Sequence, residues 1–246
     1  MQANRLVIVG ASSAIAKEVG RIYASKKWEV YIVARSKDKM QIIEEDFKAR
    51  GAVAVHSLPF DFSQKGDYQG LVDWATQDGS IDLLLIAHGV LGDQKASEAS
   101  NEYAIKTFEV NFLSYMCLLN LFAGTMETQK KGTIAVISSV AGDRGRQSNY
   151  FYGTAKGALT IYCQGLRNRL FKNNVHVLTI KPGFVKSPMT ADLKQGPLFV
   201  EPNKVAGDIV KAVESKKNEV YTPWFWWFIM TIIKLIPEGI FKRLKL

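Results

Sequence analysis

The sequence predicts an α/β domain built around a doubly wound parallel sheet of about seven strands, with helices on both faces and an aromatic helical tail. Three observations predict this three-layer architecture. Short β-branched apolar runs alternate with longer stretches of helical periodicity. A turn of small residues follows the first run, and the pair Ser138-Ser139 ends a later one. We therefore assign residues 1–222 to the α/β domain and residues 223–246 to a C-terminal extension.

Composition narrows the class of protein. The chain has 246 residues, 47% hydrophobic and 22% charged, which fits one globular domain with a large core. Its net charge of +9 is scattered except near the C-terminus, so we predict no nucleic-acid partner. Cys117 and Cys163 lie in apolar helical contexts and are expected to be buried thiols. No metal site is predicted, and the strand that begins the fold leads us to expect a cytoplasmic protein, including the cytosolic face of a membrane.

The first strand and the helix after it predict a phosphate site. Residues 6–9 form an apolar strand, and the small residues from Gly10 to Ala16 open a helix that reaches about Ser25. Backbone N–H groups at such a turn, together with the helix N-terminus, favour a bound anion.

The second strand, residues 29–34, ends in Arg35-Ser36 and not in an acidic residue. A carboxylate at this position would bind the ribose 2′-hydroxyl of NAD and repel a 2′-phosphate. Because a guanidinium and a hydroxyl suit that phosphate, we predict NADP in preference to NAD, with Lys17 and Lys37 as helpers. The alternative is that Arg35 is a solvated loop cation.

A strand over 133–137 and a helix over 152–171 frame the candidate catalytic residues. Tyr152 and Lys156 are four residues apart and so share one helix face. A nearby ammonium should lower the tyrosine pKa from about 10, while the hydroxyl of Ser139 holds a substrate oxygen. The alternative for the Tyr/Lys pair is an ordinary exposed pair on a helix.

Ser139, Tyr152 and Lys156 at this spacing resemble the catalytic set of the short-chain dehydrogenase/reductase family, whose fold is Rossmann-type. The resemblance covers residues 5 to about 221. It implies an NAD(P)H-dependent oxidoreductase that reduces a ketone to an alcohol. Tyr152 would be the acid, Lys156 would tune it, and Asn111 would complete the proton relay. The family also implies a homodimer or homotetramer.

The cofactor-binding residues that the resemblance implies are Gly10, Ser12, Ser13, Ala14, Ile15, Arg35, Ser36, Asp61, Phe62, His88, Gly89, Tyr152, Lys156, Pro182, Gly183, Val185 and Ser187. Asp61 would hold the adenine amino group, or cap a helix beginning near Ser63. Val185 and Ser187 would hold the nicotinamide carboxamide.

Two segments depart from the family pattern. Ala14 and Ala16 replace glycines of the cofactor turn, which is tolerable if the backbone φ angle stays negative. His88-Gly89 lies where the family places an asparagine motif, and we expect His88 to fill space more than to catalyse.

The loop between Ser139 and the catalytic helix carries Arg144 and Arg146. In the family this loop flanks the substrate, so two arginines would suit an anionic group such as a phosphate. The alternative is surface charge. Residues 189–199 would form a mobile flap over the substrate.

The tail is rich in aromatic residues and ends in basic ones. Its apolar run, residues 224–233, is half the length of a membrane span, so we expect a monotopic anchor lying in the membrane interface. The alternative is a helical hairpin packed on a neighbouring subunit. Together with residues 89–93, 143–146, 187–189 and 193–194, the tail resembles a branch of the family that reduces a decaprenylphosphoryl-2-keto-pentose. That implies a lipid-linked sugar phosphate substrate. The alternatives are another hydrophobic ketone, such as a 3-ketoacyl lipid or steroid, or a non-catalytic NADP-binding protein.

Overall fold

The computed structural model describes residues 3–64, 66–77 and 79–245, so Met1 and Leu246, the outer ends of the two predicted segments, lie outside the described residues. The strands are β1 Arg5–Val9, β2 Glu29–Ala34, β3 Ala54–Pro59, β4 Leu83–Ile86, β5 Thr133–Ile137, β6 His176–Pro182 and β7 Glu219–Thr222. The helices are α1 Ala14–Ser25, α2 Lys37–Ala49, α3 Tyr68–Thr76, α4 Gln94–Ala99, α5 Asn101–Phe108, α6 Ser114–Gln129, α7 Tyr150–Leu170, α8 Pro202–Glu214, α9 Phe225–Leu235 and α10 Glu238–Phe241.

The strands form one parallel sheet in the order β3-β2-β1-β4-β5-β6-β7, which confirms the predicted doubly wound fold. Val9 at the end of β1 pairs with Val33 of β2 and Ile86 of β4, and Ile86 pairs with Val136 of β5. The strands therefore end at one common edge, close to the point where the strand order reverses. In open α/β sheets this edge is where ligands bind.

Both faces of the sheet are covered, which explains why the central strands read as unbroken apolar runs. Leu6 and Ile8 of β1 belong to the cluster that packs beneath α1, α2 and α8. Val7 and Val9 point to the opposite cluster, which includes residues of α3, α6 and α7. All five residues of β1 are buried.

Three predicted segments differ in detail. The long helix expected over 101–128 is α5 and α6 joined by a π-helical turn, Glu109–Leu113. No helix begins at Ser63; α3 begins at Tyr68, where Asp67 accepts a hydrogen bond from the Gly70 N–H at 2.8 Å. The prediction of a helix near Ser63 was therefore wrong, because the polar turn after β3 continues for several more residues. Cys163 is buried as expected, whereas Cys117 is half-buried; both are free thiols.

The tail folds back onto the domain. Trp226 and Met230 of α9 are buried against Val140 and Tyr221. A Cβ atom at Gly183, just after β6, would overlap the indole of Trp226, so this contact requires glycine. Among the described residues, no helix has the length and apolar character to cross a bilayer.

Candidate active site

The four predicted catalytic residues come together at the carboxyl edge of the sheet. Ser139 follows β5, Tyr152 and Lys156 lie in the first two turns of α7, and Asn111 lies in the π-helical turn between α5 and α6. α7 begins beside the end of β5, where the Lys156 ammonium reaches the Ile137 carbonyl. This placement brings the catalytic candidates together. The sequence separations, up to 45 residues, are bridged by the parallel crossovers.

The two serines after β5 face different partners. The Ser139 hydroxyl accepts a hydrogen bond from the Ala141 N–H at 3.1 Å and so begins the short 3₁₀ turn Val140–Gly142. The Ser138 hydroxyl points into the fold, where it donates to the Lys156 carbonyl at 2.9 Å and contacts the Thr160 hydroxyl at 2.8 Å. Ser138 thus fixes α7 against β5 and leaves Ser139 at the site.

Lys156 is a nearly buried cation, 3% exposed. Its ammonium donates to the Ile137 carbonyl at 3.1 Å and lies 4.7 Å from the ring centre of Tyr115 and 5.9 Å from that of Tyr152. A carbonyl dipole and an aromatic face stabilise a cation only in part. Burial therefore lowers the pKa of Lys156 to about 7.

Tyr152 is half-buried, and burial raises its pKa to about 12, although a hydrogen bond with Ser139 acts in the opposite direction. The sequence led us to expect a lowered pKa caused by Lys156. The structure differs because the site is poorly solvated, so removing the phenol from water raises its pKa more than the hydrogen bond with Ser139 lowers it. Tyr152 is consequently a protonated hydroxyl at neutral pH.

Asn111 is fully buried and holds the loop after β4 in place. Its amide group donates to the carbonyls of Val90 and Thr107, both at 2.9 Å, and its oxygen accepts from the Val90 N–H at 3.1 Å. A Cβ atom at Gly89 would lie 2.7 Å from the Asn111 oxygen and 3.8 Å from the Lys156 ammonium nitrogen. Asn111, the loop after β4 and Lys156 therefore form one packed unit.

His88 is sandwiched between two aromatic rings. Its ring centre lies 4.1 Å from that of Phe62 and 4.2 Å from that of Tyr115. Its Nε2 contacts the Ser114 hydroxyl at 2.8 Å, and burial, with the Lys156 charge as a second cause, holds the pKa of His88 well below its usual range. A neutral stacked imidazole fits the predicted space-filling role.

Tyr115 is a site residue that the sequence reasoning missed. Its hydroxyl donates to the His88 carbonyl, and its ring lies under the Lys156 ammonium. The available signal was its position four residues after Asn111, which places both on one helix face.

The predicted phosphate turn has the geometry that an anion requires. Ser13 occupies the N-cap position of α1 without making a side-chain cap, and the first turn contains no acidic residue. Its orphan N–H groups can therefore bind an anion. Gly10 has φ +87°, and a Cβ there would collide with the His88 backbone. Ala14 begins the helix, so its φ angle is negative, as the replacement of glycine required.

Around this turn, Ser12 is exposed, Ile15 is half-buried and Ala16 is fully buried in the core. The groups that face solvent at this turn are therefore backbone N–H groups and serine hydroxyls, and the apolar side chains point toward the core. A dinucleotide pyrophosphate fits this arrangement.

The ends of β2 and β3 carry the other nucleotide candidates. Arg35 is exposed, and the Ser36 hydroxyl caps α2 by accepting from the Lys39 N–H at 3.3 Å. Asp61 accepts from the N–H and the hydroxyl of Ser63 at 2.9 and 2.7 Å. Burial alone would raise the pKa of Asp61, but these bonds and nearby positive charges lower it, so this carboxylate is ionised.

The turn after β6 is closed by local hydrogen bonds. Pro182 ends β6, and Val185 is buried and forms a bridge with Val200. Thr190, which the sequence reasoning did not select, donates to the Val185 carbonyl at 2.6 Å and accepts from the Ser187 N–H at 3.2 Å. The predicted flap over residues 189–199 contains the end of a 3₁₀ turn, Pro188–Thr190, and is otherwise irregular.

Arg144 and Arg146 have separate environments. Arg144 donates to the carbonyls of Ile233 and Ile236 at 2.5 and 2.7 Å and pairs with Glu238 at 3.0 Å, so it caps the C-terminus of α9. Arg146 is half-buried, its Nε has no hydrogen-bond partner among the described residues, and burial lowers its pKa. Of the two, Arg146 alone is left for an anionic ligand.

A buried ion network anchors this loop to the sheet. The Lys181 ammonium of β6 lies 2.8 Å from Asp143 and 2.9 Å from Glu219, and the Tyr221 hydroxyl donates to Asp143 at 2.6 Å. The loop next to Ser139 is thus fixed by β6 and β7. No group of side chains in the described part of the chain could hold a metal ion.

Comparisons with known proteins agree with this geometry. A family model described as short chain dehydrogenase matches residues 4–197. An uncharacterized oxidoreductase of Mycobacterium tuberculosis is 32% identical over 240 residues, covering 97% of this chain and 96% of that protein. Carbonyl reductase family member 4 of Xenopus laevis is 26% identical over 217 residues, covering 85% and 90%. A short-chain dehydrogenase from Sphingobium yanoikuyae in complex with NADPH has the same fold, with TM-score 0.84, 19% identity and coverage of 96% and 97%.

The buried ammonium predicts a pH-dependent stability. The pKa of Lys156 falls from 10.5 to about 7 on folding, so above pH 7 the unfolded chain binds a proton that the folded chain lacks. The cost of burying the charge is therefore greatest below pH 7 and decreases, by about 1.4 kcal/mol per pH unit, as the pH rises toward 10. Relative to Lys156→Met, the wild type should gain stability between pH 7 and pH 9 in urea unfolding. Lys172→Met, at an exposed lysine, is the control. If the difference in unfolding free energy between the wild type and Lys156→Met does not vary with pH, the lowered pKa of Lys156 is contradicted.

Proposed function

The chain belongs to the short-chain dehydrogenase family of oxidoreductases, and from this premise we propose that it reduces a ketone to an alcohol with NADPH. The observation that carries the proposal is the meeting of Ser139, Tyr152 and Lys156 at the ligand-binding edge of the sheet. A phenol, a hydroxyl and an ammonium gathered at one edge of the sheet can serve as a proton donor, an oxygen-binding group and a source of the replacement proton.

The pKa values support Tyr152 as the acid. With a pKa of about 12 it is protonated at neutral pH, and its proton passes to the ketone oxygen while the carbonyl carbon accepts a hydride. Bound NADPH supplies that hydride. Ser139 donates a hydrogen bond to the same oxygen and orients it. Lys156, with a pKa of about 7, carries a proton that can return to the phenolate.

The nucleotide preference rests on the end of β2. Arg35 is exposed and offers its guanidinium beside the Ser36 N-cap, with no acidic residue at the strand end. This pair suits the 2′-phosphate of NADPH. The free N–H groups of α1 suit the pyrophosphate. The NADPH in the complex of the structural neighbour supports the same choice.

We assign the substrate to hydrophobic ketones that carry a phosphate, of which a lipid-linked sugar phosphate is one. Arg146 and Lys242 line a cavity of about 170 Å³ between the loop before α7 and the tail. The one carboxylate in its lining, Glu238, is already paired with Arg144. The positive charges of Arg146 and Lys242 are therefore left without a carboxylate partner in this lining, and a phosphate would suit them.

Tyr152→Phe should lower turnover of NADPH with a ketone by about 10²–10⁴, because general-acid catalysis contributes this much. NADPH affinity, measured by fluorescence titration, should change less than about twofold, because the ring is kept. Tyr162→Phe, on the same helix but away from the site, should have wild-type turnover. Full turnover by Tyr152→Phe would exclude the proposed acid.

Arg35→Asp should weaken NADPH binding at least about tenfold, because a charge-assisted bond is lost and a repulsion gained. NADH binding should change little. Lys172→Asp makes the same change in net charge far from the nucleotide and should leave both affinities unaltered. An Arg35→Asp protein that retains its preference for NADPH would refute the role of Arg35.

Arg146→Gln should raise KM for a phosphate-bearing ketone about tenfold or more and leave kcat unchanged, because it removes binding without touching the proton donor. A neutral ketone with the same hydrocarbon chain is the control and should show no change. Equal effects on both would favour the alternative class, neutral ketones such as 3-ketoacyl lipids or steroids.

A further inference from the structure

We propose that one face of α9 docks the protein onto the surface of an anionic lipid bilayer. The apolar tail face consists of exposed side chains at the start of the tail and along α9, namely Trp224, Trp227, Phe228, Ile232 and Leu235. The inference concerns a binding surface and does not depend on the proposed reaction.

The apolar tail face is a single stripe. At about 100° per residue, its five side chains fall within an arc of about 140° on the helix. Their exposed fractions run from 51% for Trp227 to 75% for Leu235. On the opposite side, Trp226 and Met230 are 3% and 0% exposed because they pack on the domain. The helix is therefore apolar on both sides, and only one side is covered by the described residues of this chain.

Covering the apolar tail face would not leave its one hydroxyl group without a partner. Thr231 is the polar residue inside the arc, and its hydroxyl donates to the Trp227 carbonyl at 2.7 Å. A hydroxyl that is already hydrogen-bonded can be transferred from water at low cost. The hydroxyl is thus no obstacle to burying the face in a membrane interface, where the two indole N–H groups can still reach polar headgroups.

The apolar tail face is also held rigidly. Arg144 fixes the C-terminal end of α9 through the Ile233 and Ile236 carbonyls. At the other end, the Trp226 ring packs edge-on against Phe184, with centroids 5.4 Å apart. Because the helix is ordered before binding, little conformational entropy is lost on docking.

Charge points to an anionic lipid surface as the occupant. The tail contains four basic residues and one acidic residue, and the acid, Glu238, is paired with Arg144. The basic residues Lys234, Lys242, Arg243 and Lys245 are exposed. Tryptophan favours the membrane–water interface, and basic side chains favour anionic headgroups.

The dimensions fix the orientation. α9 has 11 residues and is therefore about 16 Å long, roughly half the thickness of a bilayer core. It must lie in the plane of the interface.

The apolar tail face also lies near the catalytic edge of the sheet. α9 follows β7, and the irregular segment with exposed Met189, Leu193 and Leu198 follows β6, so both border that edge. Docking would therefore bring the substrate entrance toward the lipid.

Co-sedimentation of the full chain with sucrose-loaded vesicles tests the proposal. The wild type should bind phosphatidylcholine vesicles containing about a third phosphatidylglycerol, and binding should weaken in high salt. The double variant Phe228→Asp/Ile232→Asp should lose at least tenfold in partition coefficient. The matched control Phe171→Asp/Ile161→Asp introduces the same charges at side chains 82% and 70% exposed outside the tail, and should bind like the wild type.

Two further measurements complete the test. Removing positive charge with Lys234→Ala, Arg243→Ala and Lys245→Ala should reduce binding to the anionic vesicles about fivefold per residue. Brominated lipids should quench the tryptophan fluorescence of the unmodified protein, which requires no variant to fold. Absence of wild-type binding, or equal loss in the test and control variants, would overturn the proposal. The proposal would also be overturned if the wild type forms an oligomer and does not bind vesicles, while Phe228→Asp/Ile232→Asp is monomeric. The apolar tail face would then be a subunit interface.

Discussion

The ammonium of Lys156 is the constraint on which the rest of the site depends. A buried cation needs compensation, and the described contacts of this one are a carbonyl and two aromatic rings, none of them charged. The carbonyl belongs to Ile137, so β5 must end beside α7. Ser138 secures that placement through the Lys156 carbonyl. Burial lowers the pKa of Lys156 to about 7, where it can exchange protons at neutral pH.

Around this cation the residues form a continuous layer across the end of the sheet. Phe62, His88 and Tyr115 stack in sequence, and the Tyr115 ring then meets Lys156. Asn111 ties the loop after β4 to α5. The aromatic layer therefore connects the candidate nucleotide-binding residues near Phe62 with the proton-transfer residues around Lys156. A family resemblance based on four polar residues contains no hint of this aromatic layer.

Features of the fold and site that depend on local sequence patterns could be predicted, whereas those that depend on burial or on contacts between distant residues could not. The bounds of β2 and β5 were predicted to the residue, because buried parallel strands have unmistakable apolar runs. The spacing of Tyr152 and Lys156 placed them correctly on one helix. The π-helical turn at Asn111 was missed, since a single turn of five residues is too short to change the apolar pattern of the helices around it. The direction of the Tyr152 pKa shift was missed because it depends on burial. Arg144 was assigned to a ligand because its partners lie about 90 residues further along the chain.

The contact between Gly183 and Trp226 has a consequence for the evolution of such chains. A Cβ atom at position 183 would occupy the space of the indole, so the turn after β6 and the C-terminal helix are complementary surfaces. An ancestor could not have acquired this tail on a domain with a larger residue in that turn without first losing the side chain. Among chains that carry this helix, position 183 should accordingly remain glycine wherever a large aromatic side chain occupies position 226.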